Sequence, residues 1–228
     1  MIDDNARPRV PAQENFDQNR AAFAGLGLRQ RFERIFATNL WGAPTSPSGL
    51  GSEPDQTTVL ARDLPQLLER LKVRSLLDAP CGDASWIGRV ALPVSYIGVD
   101  IVPAIIDRLQ AQGSAKREFR YGDITTDQLS AADAILCRDC LVHLSFANIE
   151  RAIANFKRSG SIYLMVTTFA QLKINRDIED GDWRPLNFCA APFNWPEPLE
   201  LLSEQCTEAD GFYHDKSLGV WRLADIAG

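Results

Sequence analysis

The chain has 228 residues, 45% hydrophobic and 24% charged, the proportions of a globular protein. Its 24 Lys and Arg against 30 Asp and Glu leave a formal charge of −6, and no basic stripe suggests a nucleic-acid partner. No apolar run approaches the roughly 20 residues that span a bilayer, and the polar opening MIDDNARPRV lacks the apolar core of a secretion signal, so a cytoplasmic protein without membrane association is expected.

The first residues, to about position 15, are polar and Pro-containing and read as loose. Over 16–36, Phe23, Leu26, Leu28, Phe32, Ile35 and Phe36 recur at helical spacing. Gly25 and Gly27 interrupt that pattern and predict a split. Residues 41–56, WGAPTSPSGLGSEPDQ, are dense in Gly, Pro and Ser and read as a linker or a lid. In the lid reading Trp41 supplies apolar cover, and Ser46, Ser48 and Ser52 supply hydrogen bonds. A boundary near 56 divides a helical extension with its lid, 1–56, from the main domain, 57–228. A helix should follow, kinked or restarted at Pro65.

The period then changes. β-like runs at 75–79, 96–100, 118–122, 134–137 and 161–169 alternate with helical segments such as 104–112 and 146–157. That alternation predicts an α/β fold, a parallel sheet with helices on both faces. SLLDA and IYLMV suit strands buried on both sides. Runs at 199–206 and 217–223, with turn-rich sequence between them, predict a C-terminal antiparallel hairpin at one sheet edge. The stretch 170–198 is long for a connection and rich in aromatics, and reads as a substrate loop. Trp183 would stack on an acceptor there, while Arg184 and Asn187 would hydrogen-bond it; a solvated acidic loop is the plainer alternative.

Chemistry concentrates at strand ends. The first strand ends at Asp78 and enters a tight turn, Pro80-Cys81-Gly82-Asp83, with a helix expected after it. Helix N-terminal N–H groups would favour an anionic group there, and Gly82 would let the backbone come close to a ligand. Asp100 ends the next strand about 20 residues on, the offset at which an acid bonds ribose hydroxyls. Asp123 follows the third strand in GDITTD, which is also good capping sequence. The fourth strand runs into Cys137-Arg138-Asp139. Open α/β sheets bind ligands at the carboxyl ends of their strands, where all four pieces fall.

These residues resemble class I S-adenosylmethionine (SAM)-dependent methyltransferases. WGAPTSPSGLGS, DAPCGDASW, LCRDCLVHLS and DGDWRPLN look like a small bacterial group within that class without assigned substrates. The resemblance implies a Rossmann-like seven-stranded, mostly parallel sheet and SAM as cofactor. It implies that Asp78, Pro80, Cys81, Gly82, Asp83 and Trp86 surround the methionine part. Asp100 with Ile101 would take the ribose and Asp123 with Ile124 the adenine, with Cys137 and Arg138 near the reactive methyl. The usual first turn, D-x-G-x-G-x-G, is altered, because Pro80, Gly82 and Ala84 occupy its glycine positions.

Methyl transfer to an oxygen or nitrogen of a small-molecule or sugar-like acceptor is the expected activity, with His143 or Asp139 as the base. Their four-residue spacing would put both on one face of a helix; His143 as a structural residue is the alternative. Two other functions compete. A non-catalytic SAM-binding module is compatible with the altered turn, and a NAD(P)-dependent oxidoreductase is disfavoured because no G-x-G-x-x-G occurs. No metal is expected. Five scattered cysteines give one CxxC, Cys137 and Cys140, without a second pair for zinc, and 175–188 places Arg176 and Ile178 where a calcium loop needs ligands. Oligomeric state is left open.

Overall fold

The structure is a computed structural model and describes residues 7–226. Seven strands form one sheet in the order β3-β2-β1-β4-β5-β7-β6. In chain order they are β1 (Ser75–Asp78), β2 (Ser95–Asp100), β3 (Arg117–Tyr121), β4 (Ala134–Cys137), β5 (Tyr163–Phe169), β6 (Glu200–Ser203) and β7 (Lys216–Arg222). The first five pair in parallel, and β7 runs antiparallel between β5 and β6. The expected Rossmann-like sheet and its C-terminal antiparallel pair are both present.

The two faces follow from strand alternation. Leu76, Leu136, Met165, Leu218 and Val220 point into one core with Leu60, Leu64, Leu67 and Leu68 of α3 (Pro54–Arg70) and Ile105, Ile106 and Leu109 of α4 (Pro103–Gln110). Leu77, Ile135, Leu164, Val166 and Trp221 point into the other, against Ile149, Ala152, Ile153 and Phe156 of α5 (Phe146–Arg158). Helix α5 has a polar start and a basic end. Ser145 Oγ accepts from Asn148 N, and Lys157 and Arg158 lie in the last turn, where cations suit the helix dipole.

Three expectations change. Helix α3 passes through Pro65 as one element. Pro65 forfeits a single N–H, and the leucines around it, Leu60, Leu64, Leu67 and Leu68, are fully buried. The helix also opens at Pro54, ahead of the boundary expected near 56. The N-terminus expected to be loose to about position 15 is helical from Pro11 (α1, Pro11–Asn19), and positions 1–6 lie outside the described residues. As predicted, the pattern over 16–36 splits. A 3₁₀ turn, Arg20–Phe23, and Gly25 at φ +73° separate α1 from α2 (Leu28–Thr38).

The third change matters for the site. No α-helix follows β1; the only helical piece before β2 is the 3₁₀ turn Ile87–Arg89. The segment 79–94 is spent on an irregular turn with positive φ at Gly82 and Ala84.

Candidate active site

The turn after β1 is held by its own backbone. Cys81 N donates to Val99 O (2.8 Å), Gly82 N to Asp100 Oδ2 (3.0 Å), Asp83 N to Ser48 Oγ (2.8 Å) and Ser85 N to Asp83 Oδ1 (3.0 Å). The anion cradle expected from helix N–H groups is therefore absent: there is no helix here, and these donors are already used. Gly82 is required for a different reason than expected. A Cβ there would sit 2.6 Å from Ser48 Oγ, at a φ of +55°. The lid is fastened at this point, since Ser46 Oγ also donates to Asp83 Oδ2 (2.8 Å). Glu53 shapes the lid by accepting from Thr45 N (2.8 Å), Thr45 Oγ1 (2.6 Å) and Ser46 N (3.1 Å).

Under the lid lies a cavity of about 940 Å³ at the carboxyl ends of the strands. Asp78 and Asp100 line it from the ends of β1 and β2, and Asp123 from two residues past β3. So do Pro80, Cys81, Gly82 and Trp86 of the first turn. Ile101, Ile124, Arg138, Asp139, His143 and Trp41 complete the predicted residues found there. Helix α2 closes one side with Leu28, Phe32, Ile35 and Phe36.

The carboxylates differ. Burial pushes Asp78 up to about 7, against the Tyr96 hydroxyl that donates to its Oδ2 (2.7 Å). Burial also raises Asp100 to about 6, although Val102 N (2.9 Å) and Gly82 N (3.0 Å) donate one bond to each of its oxygens. Each oxygen keeps a further lone pair for a ligand hydroxyl. Asp123 Oδ1 is taken by Thr125 N (2.7 Å) and Thr125 Oγ1 (2.6 Å). No helix follows it, so it closes a turn where capping was expected, and it still borders the cavity.

A second cavity of about 510 Å³ adjoins the first and shares Trp41, Ser48, Asp139 and His143 with it. Its far side carries Phe169, Trp183, Tyr213, Glu208 and Lys216. A buried charge cluster forms the floor. Lys216 Nζ lies 2.7 Å from Asp139 Oδ2, 3.6 Å from Glu204 and 3.7 Å from Glu208. Arg138 reaches Glu204 at 2.7 Å and Asp139 at 3.3 Å, with its guanidinium over the Trp86 ring. Burial alone would push Asp139 up, but Lys216 and Arg138 hold it down at about 2. Gly51 presses on this pair, because a Cβ there would meet Asp139 Oδ2 at 2.3 Å and Lys216 Nζ at 3.0 Å.

His143 sits in a 3₁₀ turn, Leu141–His143, and Asp139 is at φ +49°. The expected α-helical face is therefore not what brings the two to the same cavities. The His143 ring stacks on Trp41 with centroids 4.1 Å apart. Its Nδ1 lies 2.8 Å from Asp182 O. A carbonyl only accepts, so Nδ1 carries the hydrogen and Nε2 the lone pair. Burial lowers His143 to about 4, so the ring is neutral at pH 7.

Asp83, Cys137, Arg184 and Asn187 lie outside both cavities. Asp83 is occupied with the lid, and Cys137 is fully buried in the core around α5. Arg184 donates to Leu141 O (2.7 Å), Leu144 O (2.5 Å) and Arg176 O (3.1 Å), fixing the turn that carries His143. Asn187 Nδ2 donates to Leu172 O (2.8 Å). These last two shape the 170–198 loop where substrate contacts were expected. Trp183 alone of that trio lines either of these two cavities. Sequence reasoning missed Lys216, Glu204 and Glu208. Their signal was present, as charges flanking the otherwise apolar β7 and following β6. Among the described residues, no group of three or more His, Cys, Asp or Glu could hold a metal ion, and no helix is long and apolar enough to cross a membrane.

A family model described as a methyltransferase domain matches residues 76–159, from β1 to just past α5. No curated protein sequence matches the chain. Among solved structures, the chain is similar to N-methyltransferase NodS from Bradyrhizobium japonicum WM9 in complex with S-adenosyl-L-homocysteine: 17% identity, TM-score 0.54, 86% of this chain and 97% of that one. It is similar to human N-acetylserotonin methyltransferase in complex with SAM at 11% identity and TM-score 0.53, over 93% of this chain and 60% of that one. The methyltransferase domain of bacterial CtHen1-C gives 14% identity and TM-score 0.54 over 74% and 98% of the respective chains. The chain spans 66% of the matched CtHen1-CN domain and 52% of CalS10, an amino pentose methyltransferase from Micromonospora echinaspora. The segment 76–159 is thus similar to a methyltransferase domain, and the chain shares the fold of these solved methyltransferases.

Proposed function

We propose that the protein transfers the methyl group of SAM to an oxygen or nitrogen of a small-molecule acceptor. One observation carries this reading. A larger cavity bordered by three strand-end carboxylates adjoins a smaller one, with Trp41, Ser48, Asp139 and His143 common to both. The first has the donor set for SAM: Asp100 for the ribose hydroxyls, Asp123 and Ile124 beside the adenine, and Asp78 with Gly82 and Trp86 around the methionine part. When bound there, SAM supplies an electrophilic methyl carried by a sulfonium.

The chain's own residues supply position and exclusion of water. The lid, pinned through Asp83, covers the cofactor cavity and keeps solvent from the methyl. The cavity walls align the acceptor with the methyl, and alignment alone can contribute up to about 7–11 kcal/mol. His143 Nε2 offers a lone pair to a proton on the acceptor, and Asp139 offers a fixed negative charge.

Isothermal calorimetry with SAM and with NAD(P) tests the cofactor. Heat for SAM and none for NAD(P) is expected, and heat for NAD(P) alone would overturn the reading. Mass spectrometry over a broad acceptor panel tests the transfer. SAM binding with no methylated product anywhere in the panel would favour a non-catalytic module. His143→Ala should slow turnover more than it weakens SAM binding, and a fully active variant would remove His143 from the chemistry.

A further inference from the structure

We propose that the acceptor is a compact amine, seated in the second cavity with its nitrogen between Glu208 and the shared wall of Asp139 and His143. This rests on the methyltransferase reading and narrows its acceptor. Three features of the smaller cavity support it.

Charge comes first. The titratable side chains lining it are Asp139, Glu208, Lys216, His143, Cys206 and Tyr213. Two carboxylates face one ammonium, and His143 is neutral, so the lining carries one negative charge in excess. The groups behind it do not change the balance. Arg138 pairs with Glu204 (2.7 Å), and Arg7 pairs with Asp215 through two bonds of 2.8 and 2.9 Å.

Aromatic lining comes second. Phe169, Trp183 and Tyr213 pack edge to face, with centroids 5.2–6.0 Å apart. Their π faces favour cations and an apolar body, and the Arg7 guanidinium already lies 5.9 Å from the Phe169 centroid and 5.5 Å from that of Tyr213. An anionic acceptor would find no unpaired cation in this lining.

The position of Glu208 is the third feature. It lines the second cavity and not the first. The amine is held as its ammonium ion, and the fraction that releases its proton to water reacts as the free base. Its lone pair forms the N–C bond, the C–S bond breaks, and that electron pair stays on sulfur as a neutral thioether. The positive charge thus passes from sulfur to the methylated nitrogen, toward Glu208. A carboxylate placed where charge arrives favours the transition state over the ground state. The transfer itself needs no strong base, so His143, held at about 4 by burial, has only to accept a hydrogen bond from the amine through Nε2; an alcohol would need a stronger base.

The test uses one scaffold with three head groups: 2-phenylethylamine, 2-phenylethanol and 3-phenylpropanoate. Each is titrated by calorimetry into the full chain saturated with S-adenosylhomocysteine. The amine should bind at least tenfold tighter than the alcohol or the acid, and with SAM present it alone should gain a methyl group. E208Q should weaken amine binding at least tenfold and leave S-adenosylhomocysteine affinity within twofold. Equal or tighter binding of the alcohol or acid, no amine binding, or an unchanged amine affinity in E208Q would overturn the proposal. Failure of S-adenosylhomocysteine itself to bind would instead overturn the cofactor reading beneath it.

Discussion

Removing the Lys216 ammonium should be among the most damaging single changes in the chain. Its side chain is 5% exposed, and three carboxylates lie within 4 Å of its Nζ, those of Asp139, Glu204 and Glu208. Lys216→Met keeps the length and apolar stem but leaves those three facing Arg138 alone. Breaking a buried pair by deleting one partner costs about 3–5 kcal/mol, because the remaining charge stays buried. A typical domain has only about 5–15 kcal/mol in total. Urea unfolding at pH 7 should show that loss, with the melting temperature lower by about 6–20 °C for a domain of this size. Asp139 provides the internal check. Its folded-state value of about 2 is below the ordinary 3.8, so its pairing stabilises fully above 3.8 and is lost as pH falls toward 2. That share is about 2 kcal/mol by linkage. In Lys216→Met the Asp139 carboxyl should take a proton at higher pH, so the gap to wild type should narrow on acidification below about pH 5. Lys216→Met/Asp139→Asn should recover at least about 1 kcal/mol over the single variant. A single variant within about 1 kcal/mol of wild type at pH 7, or a double variant no better than the single, would refute this account.

SAM affinity should depend on pH through Asp78 and Asp100. Their folded values of about 7 and about 6 lie above 3.8, so both charges are costly in the empty protein, and stability falls as pH rises through that window. A ligand with hydroxyl and ammonium donors favours the ionised forms. Its dissociation constant should therefore rise by up to about a decade per pH unit for each group as pH drops from 7 to 5; a flat profile in calorimetry would count against both assignments. NMR should find His143 titrating near pH 4 and not 6.5 in the empty protein, since burial lowers it. Its folded value is below the unfolded one, so its share of stability is complete above 6.5 and is lost as pH falls through 4. Gly51→Ala should cost about 1–3 kcal/mol by forcing Asp139 and Lys216 apart, and thermal melts would expose an uncoupled pair by showing no change.

What the sequence reveals here depends on whether a residue acts within its own segment or across segments. Strand periodicity marks β1 through β5, and a strand end is a local feature, so Asp78, Asp100 and Asp123 are readable before any coordinates and do border one cavity. The turn after β1 was misread for the opposite reason. A helix was expected there, but the Asp100 carboxylate and Ser48 hydroxyl, 18 and 35 positions away from the atoms they bind, take up its N–H groups. Arg184 and Asn187 look like recognition residues in isolation, yet they serve carbonyls brought close only by the folded loop. The charge cluster was the least legible part. Asp139 and Lys216 are 77 positions apart, and Arg138 and Glu204 are 66. Each sits at or just past the end of a strand, and only the placement of β7 between β5 and β6 makes them neighbours. That placement puts Lys216 opposite Phe169 at the carboxyl end of β5, beside the turn that carries Asp139. The second cavity is therefore a product of topology, while the first is written strand by strand.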